Sequence, residues 1–199
     1  MAETAQSREI LPDAGTMVVV VGPSGAGKDS VIGYALSRIG ERPDIHLVRR
    51  LITRPADAGG EQHEALSESE FETRLRAGDF AVDWTAHGLR YGIPASVRDE
   101  LAKGHVVIAN GSRAVLDRFK DAFPSLLIVN IVARPEILAE RLDKRGREST
   151  VDIALRLERA DSVGIHERFS SVTIDNSGPL ETAGERFLSI IKALIDGKA

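Results

Sequence analysis

Apolar residues along this chain fall in short unbroken blocks, with stretches of three-and-four spacing between them. "MVVVV" (17–21), "HVVIAN" (105–110) and "LLIVNIV" (126–132) are such blocks, rich in β-branched side chains. A block of this length without polar alternation reads as a strand covered on both faces. "HLVRRLI" (46–52) and "SVTIDN" (171–176) are further strand candidates. The spacing predicts helices from Lys28 to Ile39, within "SRAVLDRFKDAF" and "PEILAERLDKRG", near 150–163 and over 179–195. Strands alternating with helices predict an α/β fold, a central parallel sheet flanked by helices.

One segment, about 46–93, departs from this alternation. It contains "SESEFETRLRAG", with Ser67 and Glu70 at capping-box spacing and a closing Gly78, which predicts a helix. Aromatic residues and glycines in "FAVDWTAHGLRYGI" predict short antiparallel strands, and a helix is expected to begin near Pro94. The expected organisation is a flexible tail over 1–15 and a single domain over 16–199, with the 46–93 segment as an insert.

Composition narrows the chemistry. The net charge of −4 argues against nucleic acid as a main partner. The absence of cysteine excludes a disulfide framework, a thiolate metal site and a cysteine nucleophile. The first fifteen residues lack the apolar core of a signal peptide, and no apolar run is long enough to cross a bilayer. A cytoplasmic protein without a membrane partner is expected.

The strongest chemical signal is "GPSGAGKDS", Gly22-Pro23-Ser24-Gly25-Ala26-Gly27-Lys28-Asp29-Ser30. It follows a predicted strand and opens a predicted helix, the context in which G-x-x-x-x-G-K-[ST] binds phosphates. Backbone N–H groups and the helix dipole would cradle the anion, and Lys28 would reach the β- and γ-phosphates. Asp29 stands where a magnesium-binding hydroxyl is usual, and a hydroxyl follows only at Ser30. The strand "HVVIAN" ends on Asn110, where many P-loop enzymes carry an acid. Asp29 either supplies magnesium with the missing hard-oxygen ligand or is a helix-start acid favoured by the dipole.

Together with "TRPADAGGE", "RAGDF", "HGLRYG", "NGSR", "RLDKRGRE" and "RLERA", this loop resembles the guanylate-kinase-like P-loop kinases over nearly the whole chain after residue 16. Within that group it is similar to the ribose 1,5-bisphosphate phosphokinases, whose pattern includes Asp after the loop lysine. The resemblance implies a P-loop kinase fold with an acceptor-binding insert and an arginine lid. It implies transfer of the ATP γ-phosphoryl group to ribose 1,5-bisphosphate, giving 5-phosphoribosyl 1-diphosphate in phosphonate breakdown, with ATP and Mg²⁺ required. The partners are then small molecules, with a homodimer left open.

The resemblance also implies site residues. The acceptor side would draw on Thr53, Arg54, His63, Asp83, Tyr91, Asn110, Ser112 and Arg113. The catalytic cations would be Lys28 with Arg145, Arg147 and Arg156, in a lid spanning about 134–160. Arg134, Arg141 and Arg159 read instead as a solvated helix face paired with acids. Guanylate kinases carry a second arginine in T-R-x-x-R-x-G-E, but here its place falls near Asp57. Their phosphate-binding tyrosine matches about His63, and their guanine-reading acid falls near Val82 or Asp83. These departures argue against GMP. A nucleoside monophosphate kinase is nevertheless the first alternative. A non-catalytic binding module is the second, though it has no need of Lys28 or lid arginines.

Overall fold

The computed structural model describes residues 15–57, 61–144 and 165–197. The tail over 1–14, the helix expected near 150–163, and Arg145, Arg147 and Arg156 lie outside these residues.

The apolar blocks build a five-stranded, all-parallel sheet in the order β2-β7-β1-β8-β9. Its strands are β1 (Thr16–Val21), β2 (Ile45–Leu47), β7 (Val106–Asn110), β8 (Leu126–Val132) and β9 (Ser171–Asp175). β1 occupies the centre, and Met17 through Val21 are wholly buried. Its side chains divide between two cores because successive strand residues face opposite ways. Val18 and Val20 pack with α1 (Lys28–Ile39) and the C-terminal helix (Leu180–Asp196). Met17, Val19 and Val21 pack with α4 (Leu116–Ala122) and with Val82, Trp84 and Ile93. Each fully buried valine contributes roughly 1.5–3 kcal/mol.

A second, four-stranded sheet has the order β4-β3-β6-β5, comprising β3 (Leu51–Ile52), β4 (Glu64–Ala65), β5 (Phe80–Ala86) and β6 (Leu89–Pro94). β5 and β6 form the expected antiparallel hairpin. His87 (φ 52°) and Gly88 (φ 73°) make its tight turn, which accounts for both residues. α2 (Glu68–Ala77) carries the predicted capping box and ends at left-handed Gly78.

Two expectations change. "HLVRRLI" is not one strand. β2 belongs to the parallel sheet, and Val48 still donates to the Ile108 carbonyl at 2.8 Å. The chain then leaves at Arg49–Arg50, and β3 pairs with β6 of the second sheet. Two adjacent charged residues interrupt the apolar run at that step, so the chain changes sheets there. The helix expected at Pro94 begins instead at Val97, as α3 (Val97–Ala102). Pro94 closes β6 opposite Phe80, and Ala95 donates to the Asp79 carbonyl at 2.7 Å. Proline sits at the start of α5 (Pro135–Asp143) as its pattern predicts.

Candidate active site

The loop from Gly22 to Gly27 runs from the end of β1 into α1. Gly27 is left-handed (φ 84°) and offers α1 no side-chain cap, so the first helical N–H groups remain available to an anion. A Cβ at Gly27 would lie 2.5 Å from Asn176 Nδ2, so no other residue fits there without displacing that amide. Lys28 Nζ donates to the carbonyls of Gly22 (2.9 Å) and Pro23 (3.1 Å), curled back over the loop. Burial of this ammonium lowers its pKa to about 8; Asp29 and Glu61 pull it back up, while Arg50 and Arg113 push it down.

Asn110 closes β7 beside α1, buried, and its Nδ2 donates to two carboxylates at once. Asp29 Oδ1 lies 2.6 Å away and Glu61 Oε2 2.8 Å away. Asn110 Oδ1 is buried without a hydrogen-bond partner. Glu61 continues the chain of contacts, its Oε1 accepting from Arg50 Nε at 2.7 Å with Arg50 Nη2 in ion-pair contact at 2.7 Å. The Arg50 guanidinium lies over Trp84 (5.6 Å) and Tyr91 (5.1 Å), whose rings stack as cross-strand neighbours of β5 and β6. A continuous path therefore links Asp29, Asn110, Glu61, Arg50 and the Trp84–Tyr91 pair.

Arg54 and His63 meet beside this path. Arg54 Nη2 is 3.1 Å from His63 Nδ1, and His63 Nε2 is 3.0 Å from the Arg54 carbonyl. His63 Nδ1 also lies 3.1 Å from the Glu61 carbonyl oxygen. Thr53 Oγ1 accepts from the Arg90 backbone N–H at 2.9 Å, so it ties β3 to β6. Ser112 caps the short 3₁₀ turn Arg113–Val115. Arg113 is desolvated enough to lower its pKa, and its charge reaches Lys28. Asp83 faces elsewhere: its carbonyl and carboxylate meet Arg118 of α4, at 2.6 and 3.8 Å.

On the other side of the loop, Arg141 of α5 donates to the Asn176 carbonyl at 3.0 Å and approaches the Gly25 carbonyl at 3.5 Å. Asn176 is buried, and its Nδ2 donates to the Ala26 carbonyl at 2.8 Å. Arg141 is thus not part of a solvated helix face, as its spacing suggests; it reaches the loop carbonyls because α5 packs Leu138 and Leu142 against the loop side. A hollow of about 340 Å³ opens there, lined by Gly25, Gly27, Ser30, Arg141, Asn176 and Leu180 among others.

Sequence reasoning assigns no role to Arg50, Glu61, Trp84 or Asn176. Glu61 carries a signal, as the acid ending "TRPADAGGE". Arg50 carries none, being hidden in a run read as a strand.

No family model matches the chain. It is 53% identical over 176 residues to "Ribose 1,5-bisphosphate phosphokinase PhnN" of Agrobacterium fabrum, covering 88% of this chain and 96% of that protein. It is 47% identical over 183 residues to the protein of the same name from Rhizobium etli, covering 92% of each. Among solved structures, guanylate kinase from Anaplasma phagocytophilum superposes with a TM-score of 0.63 at 18% identity, over 91% of this chain and 86% of that one. That likeness establishes the P-loop kinase fold.

Proposed function

The chain belongs to the ribose 1,5-bisphosphate phosphokinase family, and on that premise we infer that it moves the γ-phosphoryl group of ATP onto ribose 1,5-bisphosphate. An oxygen of the C1 phosphate forms a bond to the γ-phosphorus, the bond from that phosphorus to the β,γ-bridging oxygen breaks, and ADP leaves. The product is 5-phosphoribosyl 1-diphosphate. The nucleophile is already an ionised phosphate oxygen, so no strong general base is needed; positioning and charge stabilisation carry the rate.

The observation that carries this reading is the meeting of the phosphate loop with Asn110, Glu61 and Arg50. It supports the reading because a sugar phosphate approaching the loop on this side would find a cation, and acids able to hold magnesium. Where guanine would be read there is buried Val82, and an Asp83 already engaged by Arg118. The triphosphate would lie in the 22–30 loop with its γ end toward Lys28. Its adenosine end would leave on the opposite side, where the hollow beside Arg141 and Asn176 offers room for it. Lys28 releases the Gly22 and Pro23 carbonyls to hold the β- and γ-oxygens.

The residues present suit a magnesium ion. Two carboxylates converge on one amide, which stands between them as a cation would. Among the described residues no three acidic or histidine side chains cluster as a metal cage. Magnesium ordinarily combines one or two carboxylates with substrate phosphates. Asp29 would hold the ion, with Glu61 adding negative charge behind Asn110. When bound, the ion neutralises charge on the β- and γ-oxygens. Arg145, Arg147 and Arg156 are proposed as lid cations over the transferring group. We place the reaction in the cytoplasm and in phosphonate breakdown.

A substrate panel with ATP and magnesium tests this reading, with products resolved by phosphorus NMR. Ribose 1,5-bisphosphate should give the higher kcat/KM, and GMP little turnover. The reverse order would overturn the assignment.

A further inference from the structure

An acceptor with two phosphates needs cations within reach of the loop, and the 53–61 motif lacks its second arginine. Arg50 is placed to fill that role. It stands two residues into the step between the sheets, its side chain only 14% exposed, with its guanidinium carbon 5.6 Å from the Trp84 ring centre and 5.1 Å from that of Tyr91. Its Nε–Nη2 edge is taken by Glu61. Among the described residues its Nη1 makes no hydrogen bond, so one edge of a flat, oriented cation is left for another anion. A guanidinium held this way has little conformational freedom left to lose on binding.

Glu61 sets where that edge points. One carboxylate oxygen holds Arg50, the other accepts from Asn110, and Asn110 also holds Asp29 beside Lys28. The backbone carbonyl of Glu61 meets His63, which contacts Arg54. Glu61 therefore registers Arg50 against the phosphate loop. Arg50 is near enough to influence the Lys28 ammonium.

We propose that Arg50 is the ligand of the accepting phosphate, in place of the missing second arginine, and that Glu61 is the positioning residue that aims it at the loop. This rests on the function inferred above. The accepting phosphate meets Nη1 on one side and the γ-phosphate held by Lys28 on the other. Trp84 and Tyr91 act beneath Arg50 by fixing its plane.

The test compares the full-length chain with Arg50→Met, Arg50→Lys and Glu61→Gln, after circular dichroism confirms folding. Arg50→Met should raise the KM for ribose 1,5-bisphosphate about 10²-fold, the scale of losing one partner of a desolvated charge contact, with ATP affinity within about twofold. Arg50→Lys keeps the charge but loses the two-edged geometry, and should raise that KM by about tenfold. Glu61→Gln should raise it by a similar factor. A parent that turns over ribose 1,5-bisphosphate beside Arg50 variants with unchanged acceptor KM would overturn the proposal. If Arg50→Met does not fold, Arg50→Lys decides on the same KM-against-kcat split. A parent inactive on this acceptor would refute the function instead. Arg50 is then judged by calorimetric titration of inorganic phosphate into protein saturated with a non-hydrolysable ATP analogue. Binding to the parent but not to Arg50→Lys supports the role, and equal binding refutes it.

Discussion

Replacing Asn110 by Asp puts a third carboxylate where an amide now bridges two. In the native protein Asn110 Nδ2 donates to Asp29 at 2.6 Å and to Glu61 at 2.8 Å. Hydrogen bonds to charged groups contribute roughly 1.5–3 kcal/mol each. Asp29 is exposed, which argues for the lower end there, whereas the Glu61 side chain is only 12% exposed. The two lost bonds therefore cost about 3–4 kcal/mol. Repulsion among like charges adds at least ~1 kcal/mol even with water-like screening, and Arg50 offsets part of that. A loss of about 4 kcal/mol corresponds to a fall in Tm of roughly 8–16 °C for a chain of this size. Differential scanning calorimetry of Asn110→Asp in EDTA at neutral pH should show this fall. Magnesium should restore several degrees, because a divalent ion can take the place of the lost N–H donors among the three acids. Asn110→Leu, which also loses the donors but adds no charge, should be destabilised with a smaller magnesium response, having two acids rather than three. If Asn110→Asp melts with the parent in EDTA, the amide does not bridge two carboxylates; if magnesium rescues both variants alike, the third acid adds nothing to the ion's site.

Lys28→Met should abolish phosphoryl transfer while leaving the fold intact, and near-normal turnover would exclude the phosphate-loop mechanism. In the parent, kcat/KM for MgATP should decline above about pH 8, where the buried Lys28 of the free enzyme loses its proton; a profile flat to pH 9.5 would contradict this. Burial of the charged lysine costs stability below pH 8. Because its folded pKa lies beneath the unfolded value, that cost is relieved as pH rises from about 8 toward the ordinary lysine range. Arg141→Ala should raise the KM for ATP by about tenfold, the scale of one hydrogen bond to a charged group, and change the acceptor KM less than threefold; an unchanged KM for ATP would mean that Arg141 serves only the loop carbonyls.

Much of this protein is readable without coordinates because its determinants are local. The β1 block must be buried on both faces, since five successive apolar side chains leave no polar face to show water. Gly27 and Lys28 announce the phosphate loop because a left-handed turn before an uncapped helix is a property of neighbouring residues. The capping box at Ser67 and Glu70 is local in the same way.

What tertiary structure alone decided is which distant charges meet. Asp29, Glu61 and Asn110 lie 81 and 49 positions apart in their pairings, and no periodicity predicts that one amide will hold both acids. Arg50 sits within an apolar run and reads as a strand residue until β2 and β3 are seen to belong to different sheets. Arg141 reads as solvated until α5 is packed, when its guanidinium reaches the carbonyls of Asn176 and Gly25. Propensity and spacing act over one or two turns of chain. Hydrogen bonds between charged side chains form wherever packing brings them within about 3 Å, and that packing is a property of the folded sheets.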